Sequence, residues 1–62
     1  MMEKLRRARM AAGLTQAQMA EKMGLTLAGY RQKEVGLRKI TVEEANQMVK
    51  ILNTTLDNIF LH

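Results

Sequence analysis

The sequence contains no cysteine, no proline and no tryptophan, and it has one tyrosine and one phenylalanine among 62 residues. Without cysteine the chain can form neither a disulfide nor a thiolate metal site, so apolar side chains must hold its core. A chain of this length buries only about 60% of its unfolded surface. We therefore expect residues 1–62 to form one domain of modest stability, with no cofactor and no metal.

Side chains suited to catalysis are also scarce. The only histidine is the final residue, His62, and the only aspartate is Asp57. Neither a nucleophile with its base nor a paired acid and base can be assembled from this inventory, so the sequence predicts no enzyme. The first ten residues carry charges without an apolar run behind them, and no segment has membrane-spanning length. We therefore expect a cytoplasmic protein that makes no membrane contact and has no small-molecule substrate.

Positive charge is in excess. Ten Lys and Arg against six Asp and Glu give a formal net charge of +4 and a pI near 10.0. This balance favours a polyanionic partner, although many small soluble proteins are basic and charge alone does not decide the partner. Apolar residues recur three and four positions apart without strand-like alternation, which predicts an all-α fold.

The stretch from Thr15 to Gly36 predicts two short helices joined by a tight turn. Thr15 is a good N-cap for a helix over Gln16–Met23, and the apolar residues that follow repeat at helical spacing. Gly24 can adopt the left-handed conformation that a sharp turn requires. Thr26 then caps a second helix over Leu27–Val35, which ends before Gly36.

Three further helices are predicted, over Glu3 to Ala12, from Thr41 to about Asn53, and over Leu56 to about Leu61. Thr41 and Glu44 form a capping box, and Thr55 is the N-cap of the last helix. On the first helix, we expect Glu3 to pair with Arg7. Helical spacing predicts a buried face made of Leu5, Ala8, Ala12, Met19, Ala20, Met23, Tyr30, Val42, Ala45, Met48, Val49, Leu52, Leu56 and Ile59.

The spacing of several of these residues resembles the helix-turn-helix repressors of the lambda repressor, Cro and xenobiotic-response-element type. The residues that carry the resemblance are Arg9, the run Gly13 to Gln16, Ala20, Gly24, Leu25, Glu34 and Gly36. The segments YRQKE, ITVEEA and LDNIF resemble small stand-alone regulators of phages and mobile elements in Gram-positive bacteria. The resemblance implies a compact five-helix domain in which the second and third helices form the helix-turn-helix.

The function that this resemblance implies is sequence-specific binding of double-stranded DNA by a dimeric transcriptional regulator, most simply a repressor that occupies an operator. The third helix would enter the major groove. The alternative is a protein-interaction module, such as an antitoxin or an anti-repressor partner, that uses Leu27, Ala28 and Gly29 as a contact patch. The dimer surface is expected at Ile59, Phe60 and Leu61, unless the first two of these close the core.

Base reading is expected from the third helix. Gln32 suits adenine, Arg31 suits guanine or a phosphate, and Leu27 and Ala28 can pack against thymine methyl groups. The residues expected to contact DNA phosphates are Gln16, Thr26, Lys33, Arg38 and Lys39.

Two charged positions of the third helix have further roles implied by the resemblance. At Lys33 the family normally has a large apolar residue, so we expect the lysine stem to lie on the core and its ammonium to point toward the DNA backbone. Arg9 and Glu34 are expected to form a structural salt bridge that locks the first helix to the third.

Overall fold

Five helices make up the structure, a computed structural model that describes residues 2–61. They are α1 (Glu3–Ala11), α2 (Gln16–Met23), α3 (Leu27–Val35), α4 (Val42–Ile51) and α5 (Leu56–Phe60). Helices α2 and α3 pack closely on each other, α1 lies against α3 and α5, and α4 lies against α2 and α5. No strand occurs between residues 2 and 61, and the predicted all-α fold is confirmed.

A threonine hydroxyl begins each helix from α2 to α5. The side chains of Thr15, Thr26, Thr41 and Thr55 accept a hydrogen bond from the backbone N–H three residues ahead. These bonds satisfy donors that a helix start otherwise leaves without a partner. Thr15 also forms a complete capping box with Gln18. This second box adds to the one predicted for the fourth helix.

The turn between α2 and α3 lies where it was predicted, but three helices end one or two residues earlier than predicted. Gly24 is left-handed, with a φ of 70°, and allows the sharp turn between α2 and α3. Asn53 is also left-handed, with a φ of 54°, and α4 accordingly ends at Ile51 rather than near Asn53. Helices α1 and α5 each end one residue before the predicted bound.

The core lies where the five helices meet. Its buried apolar residues are Leu5, Met19, Ala20, Met23, Tyr30, Met48, Leu52 and Ile59. Three predicted core residues are instead exposed: Ala12, Val42 at 77% and Leu56 at 40%. Val42 and Leu56 are the first residues of their helices, and both border a groove that no segment of residues 2–61 fills. Helical spacing places them on an apolar face but does not determine whether that face is covered.

A buried ion pair joins α1 to α3. Arg9 Nε lies 2.7 Å from Glu34 Oε1, and Arg9 Nη2 donates to Glu34 Oε2 at 3.3 Å. Arg9 Nη1 donates to the carbonyl of Leu14 at 2.7 Å, which ties the following turn to the same guanidinium. Both charged side chains are buried. By contrast, the pairs from Glu3 to Arg6 and to the predicted partner Arg7 are exposed.

Replacement of Arg9 should therefore cost far more stability than replacement of Arg6. We expect Arg9→Ala to lower the free energy of unfolding by about 3 to 5 kcal/mol because Glu34 is left buried without its partner. The matched variant Arg6→Ala should cost less than about 1 kcal/mol. Urea unfolding followed by circular dichroism measures both values, and similar losses in the two variants would contradict a structural role for the buried pair.

Candidate nucleic-acid interface

The Glu34 carboxylate is the centre of a buried hydrogen-bond network. Besides Arg9, it accepts from the hydroxyl of Tyr30 at 3.0 Å and from the side-chain amide of Gln16 at 2.5 Å. These donors come from α1, α2 and α3. Within residues 2–61, every buried side-chain nitrogen and oxygen has a hydrogen-bond partner. The network therefore sets how the two helices of the motif lie relative to each other and to α1.

Hydrogen bonding and burial shift the pKa values of the residues in this network. Burial by itself raises the pKa of Glu34, but the hydrogen bonds from Arg9, Gln16 and Tyr30 outweigh it, so the pKa lies below its ordinary value. The hydrogen bond to Glu34 raises the pKa of Arg9 despite burial. Burial and the adjacent carboxylate raise the pKa of Tyr30, which therefore stays protonated and can donate to Glu34.

The start of α3 presents small and apolar side chains to solvent. Leu27 and Ala28 are exposed. One helical turn later, Arg31 follows Leu27, and the partly buried Gln32 follows Ala28. The hydroxyl of Thr26 accepts from the Gly29 N–H at 3.0 Å. A Cβ at Gly29 would lie 3.1 Å from that hydroxyl oxygen, so glycine permits the close cap.

Gln16 connects the buried network to this surface. Its amide nitrogen donates to Glu34, and its amide oxygen accepts from Arg31 Nε at 3.2 Å. Our prediction of a phosphate contact did not include these bonds. They join residues 15 and 18 positions apart, and such contacts follow from the packing of α2 on α3 rather than from any local sequence signal.

The Lys33 ammonium has partners within the protein that the sequence did not predict. Its Nζ lies 3.0 Å from Glu44 Oε1 and donates to the carbonyl of Lys39 at 3.1 Å, and its side chain is only 12% exposed. The reason is that the loop after α3 places the first turn of α4 beside the end of α3. The backbone hydrogen bond from Thr41 and the nearby Lys33 lower the pKa of Glu44.

Arg38 and Lys39 are exposed in the loop between α3 and α4. The backbone N–H of Arg38 donates to the carbonyl of Gln32 at 3.2 Å, so the loop begins directly from the end of α3. The ion pairs within residues 2–61 involve neither side chain. Both charges are therefore available to an external anion.

An open, largely apolar groove of about 670 Å³ lies beside this loop. Its apolar walls include Ile40, Val42, Leu56, Phe60 and Leu61, and Arg38 and Lys39 line it as well. Of the three residues expected at the dimer surface, Leu61 is 57% exposed and Phe60 is partly buried, but Ile59 is only 4% exposed. Ile59 is therefore a core residue, because its side chain closes α5 onto the helices beneath.

No group of three His, Cys, Asp or Glu side chains able to hold a metal occurs within residues 2–61. No helix in that range is long and apolar enough to cross a membrane.

The geometry of α2, the turn at Gly24 and α3 defines a helix-turn-helix protein. A protein-family model described as "Helix-turn-helix" matches residues 5–59, which is most of the chain. The chain belongs to this family, whose members are DNA-binding regulators of the XRE and lambda repressor type rather than enzymes. No curated protein and no solved structure gives a significant match.

The lowered pKa values of Glu34 and Glu44 predict a loss of stability in acid. Each folded carboxylate binds a proton less readily than its unfolded counterpart, whose pKa is near 4.5. The stability they contribute is complete above that value and is lost as pH falls through the lower folded values. Urea unfolding should show that Glu44→Gln destabilises the protein at about pH 7 and much less at about pH 3. A pH-independent difference between this variant and the parent protein would contradict the assignment.

Proposed function

We propose that the protein is a sequence-specific transcriptional regulator that binds double-stranded DNA with α3 in the major groove and represses by occupying an operator. The observation that carries this proposal is the exposed start of α3, followed by basic side chains that form no ion pair within residues 2–61. Arg31 lies on α3, and Arg38 and Lys39 lie in the loop that follows this helix. In this motif the first helix crosses the DNA backbone and the amino end of the second reaches the bases.

Base reading is assigned to the first turns of α3. Leu27 and Ala28 can contact thymine methyl groups, and the amide of Gln32 can pair with adenine. Gln32 shares a helix face with Ala28, and Arg31 shares one with Leu27, because each pair is four residues apart. This interleaving of apolar and hydrogen-bonding side chains favours a DNA surface over the rival protein-contact patch at residues 27–29.

Phosphate contacts are assigned to the free charges beside α3. Arg38 and Lys39 are exposed, and the hydroxyl hydrogen of Thr26 is still available for donation although its oxygen caps α3. Lys33 has a different part in this proposal: its ion pair with Glu44 and its bond to the Lys39 carbonyl hold the basic loop in place. Most of the affinity should come from such contacts and should fall with added salt.

Dimerisation is assigned to the apolar groove. Val42 and Leu56 have the helical spacing of core residues yet are exposed, and Phe60 and Leu61 lie on the same groove. A second copy of the chain would cover these side chains and remove their apolar area from water. Two protomers could then place their α3 helices on half-sites about one helical turn apart.

Gln32→Ala tests the base-reading assignment. A duplex selected from a random-sequence pool and a scrambled duplex of the same composition would be compared by fluorescence anisotropy. We expect the parent protein to prefer the selected duplex and Gln32→Ala to lose about 1 to 3 kcal/mol of that preference per contacted base pair. Gln47→Ala, on exposed α4 surface, is the control and should bind as the parent does. Equal loss for both duplexes would contradict base reading by Gln32, and no DNA binding at all would favour the protein-interaction function.

Val42→Asp tests the dimer surface. Val42 is 77% exposed and is the first residue of α4, where an aspartate is compatible with the helix dipole and should leave the monomer folded. Sedimentation equilibrium should give a dimer for the parent protein and a monomer for Val42→Asp. Leu37→Asp is the matched control, because Leu37 is 79% exposed but lies outside the groove. A dimer that persists in Val42→Asp, or a monomeric parent protein, would contradict this surface.

A further inference from the structure

The orientation of the Gln16 side chain is determined from inside the protein. Glu34 is 1% exposed and presents a carboxylate oxygen to α2. A carboxylate only accepts hydrogen bonds, so the amide of Gln16 must turn its nitrogen inward. Its oxygen then points to the surface, where it accepts from Arg31 Nε at 3.2 Å. The buried charge thus dictates that the outer end of Gln16 is an acceptor.

The Gln16 oxygen suits a cation and not an anion. A phosphate oxygen would meet the Gln16 oxygen with like partial charges, whereas the Arg31 guanidinium meets it favourably. The contact uses Nε alone, so the terminal Nη1 and Nη2 groups of Arg31 are left for another partner. The Gln16 oxygen is therefore placed to orient Arg31, and of the two amide N–H groups one is used by Glu34.

The charges of the cluster leave Arg31 without a counterion. The single negative charge of Glu34 is matched by Arg9, which makes two hydrogen bonds to it. No carboxylate within residues 2–61 pairs with Arg31, which is exposed. Arg9, Glu34 and Arg31 together therefore carry one net positive charge, at the surface where α2 and α3 meet.

We propose that Gln16 is a positioning residue that holds the Arg31 guanidinium for a DNA backbone phosphate. This inference rests on the DNA binding proposed above. Of the two partners expected for Arg31, guanine and a phosphate, it selects the phosphate, and it changes the role of Gln16 from phosphate ligand to support. The tether places Arg31 against α2, the helix that crosses the backbone in this motif, rather than toward the bases beneath the start of α3. The two terminal nitrogen groups form the planar fork that matches phosphate oxygens.

A double-mutant cycle tests this assignment with the scrambled duplex, which contains the phosphate backbone but no selected site. Binding would be measured by anisotropy over a series of salt concentrations for the parent protein, Arg31→Ala, Gln16→Met and the double variant. Arg31→Ala should weaken binding about five- to tenfold at low salt and reduce the salt slope by about 1 per protomer, as loss of one phosphate contact requires. It should weaken binding to the selected duplex by the same factor.

Gln16→Met keeps the length of the side chain and removes both amide hydrogen bonds. We expect it to weaken binding about two- to fourfold when Arg31 is present and to have no further effect in Arg31→Ala, because its contribution passes through Arg31. Arg31→Lys should retain the salt slope but abolish the effect of Gln16→Met, because lysine lacks the guanidinium Nε–H that donates to the Gln16 oxygen. Circular dichroism under the binding conditions establishes that every variant compared is folded.

Two results would overturn the inference while leaving DNA binding intact. Independent effects of Gln16→Met and Arg31→Ala, multiplying in the double variant, would mean that Gln16 contacts DNA itself. An unchanged salt slope in Arg31→Ala, with a loss confined to the selected duplex, would mean that Arg31 reads a base. Failure of the parent protein to bind either duplex would instead overturn the proposed function on which the inference rests.

Discussion

The carboxylate of Glu34 is the group on which the arrangement of the helices depends. It lies in the interior of a chain that has no disulfide, and it receives hydrogen bonds from α1, α2 and α3. Loss of its ionic partner would cost about 3 to 5 kcal/mol, a large share of the stability of a small domain, so the network strongly favours the state in which all the partners are in position. The packing of apolar side chains supplies most of the driving force, but this network determines which mutual orientation of the helices is acceptable.

The helices themselves were largely predictable because their signals are local. Four threonine caps, the turn at Gly24 and the three-and-four spacing of apolar residues each involve neighbours within about one turn of helix. The contact between Arg9 and Glu34 was expected from a family resemblance rather than from spacing. Physical reasoning on the sequence alone has no means of bringing together two residues 25 positions apart.

What the sequence could not predict was the competition between partners at the surface. Lys33 carries a charge and lies near the end of α3, and its ion pair with Glu44 depends on the packing of α4 beside α3. Gln16 likewise lies at the start of α2, and its hydrogen bonds with Glu34 and Arg31 follow from the packing of α2 on α3. In both cases the outcome depends on the distances between helices. Val42 and Leu56 show that the burial of apolar residues is equally hard to predict, because helical spacing does not reveal whether another element packs on an apolar face.

The apolar groove also has a consequence for anion binding by the loop that borders it. Arg38 and Lys39 belong to its lining together with Val42 and Leu61, so the segment that carries the unpaired charges is also a wall of the groove. An occupant of the groove that contacts this segment and restricts its backbone changes the surroundings of both charges. Occupancy of the groove and anion binding by the loop are thus thermodynamically linked, and by reciprocity each must change the affinity of the other by the same factor.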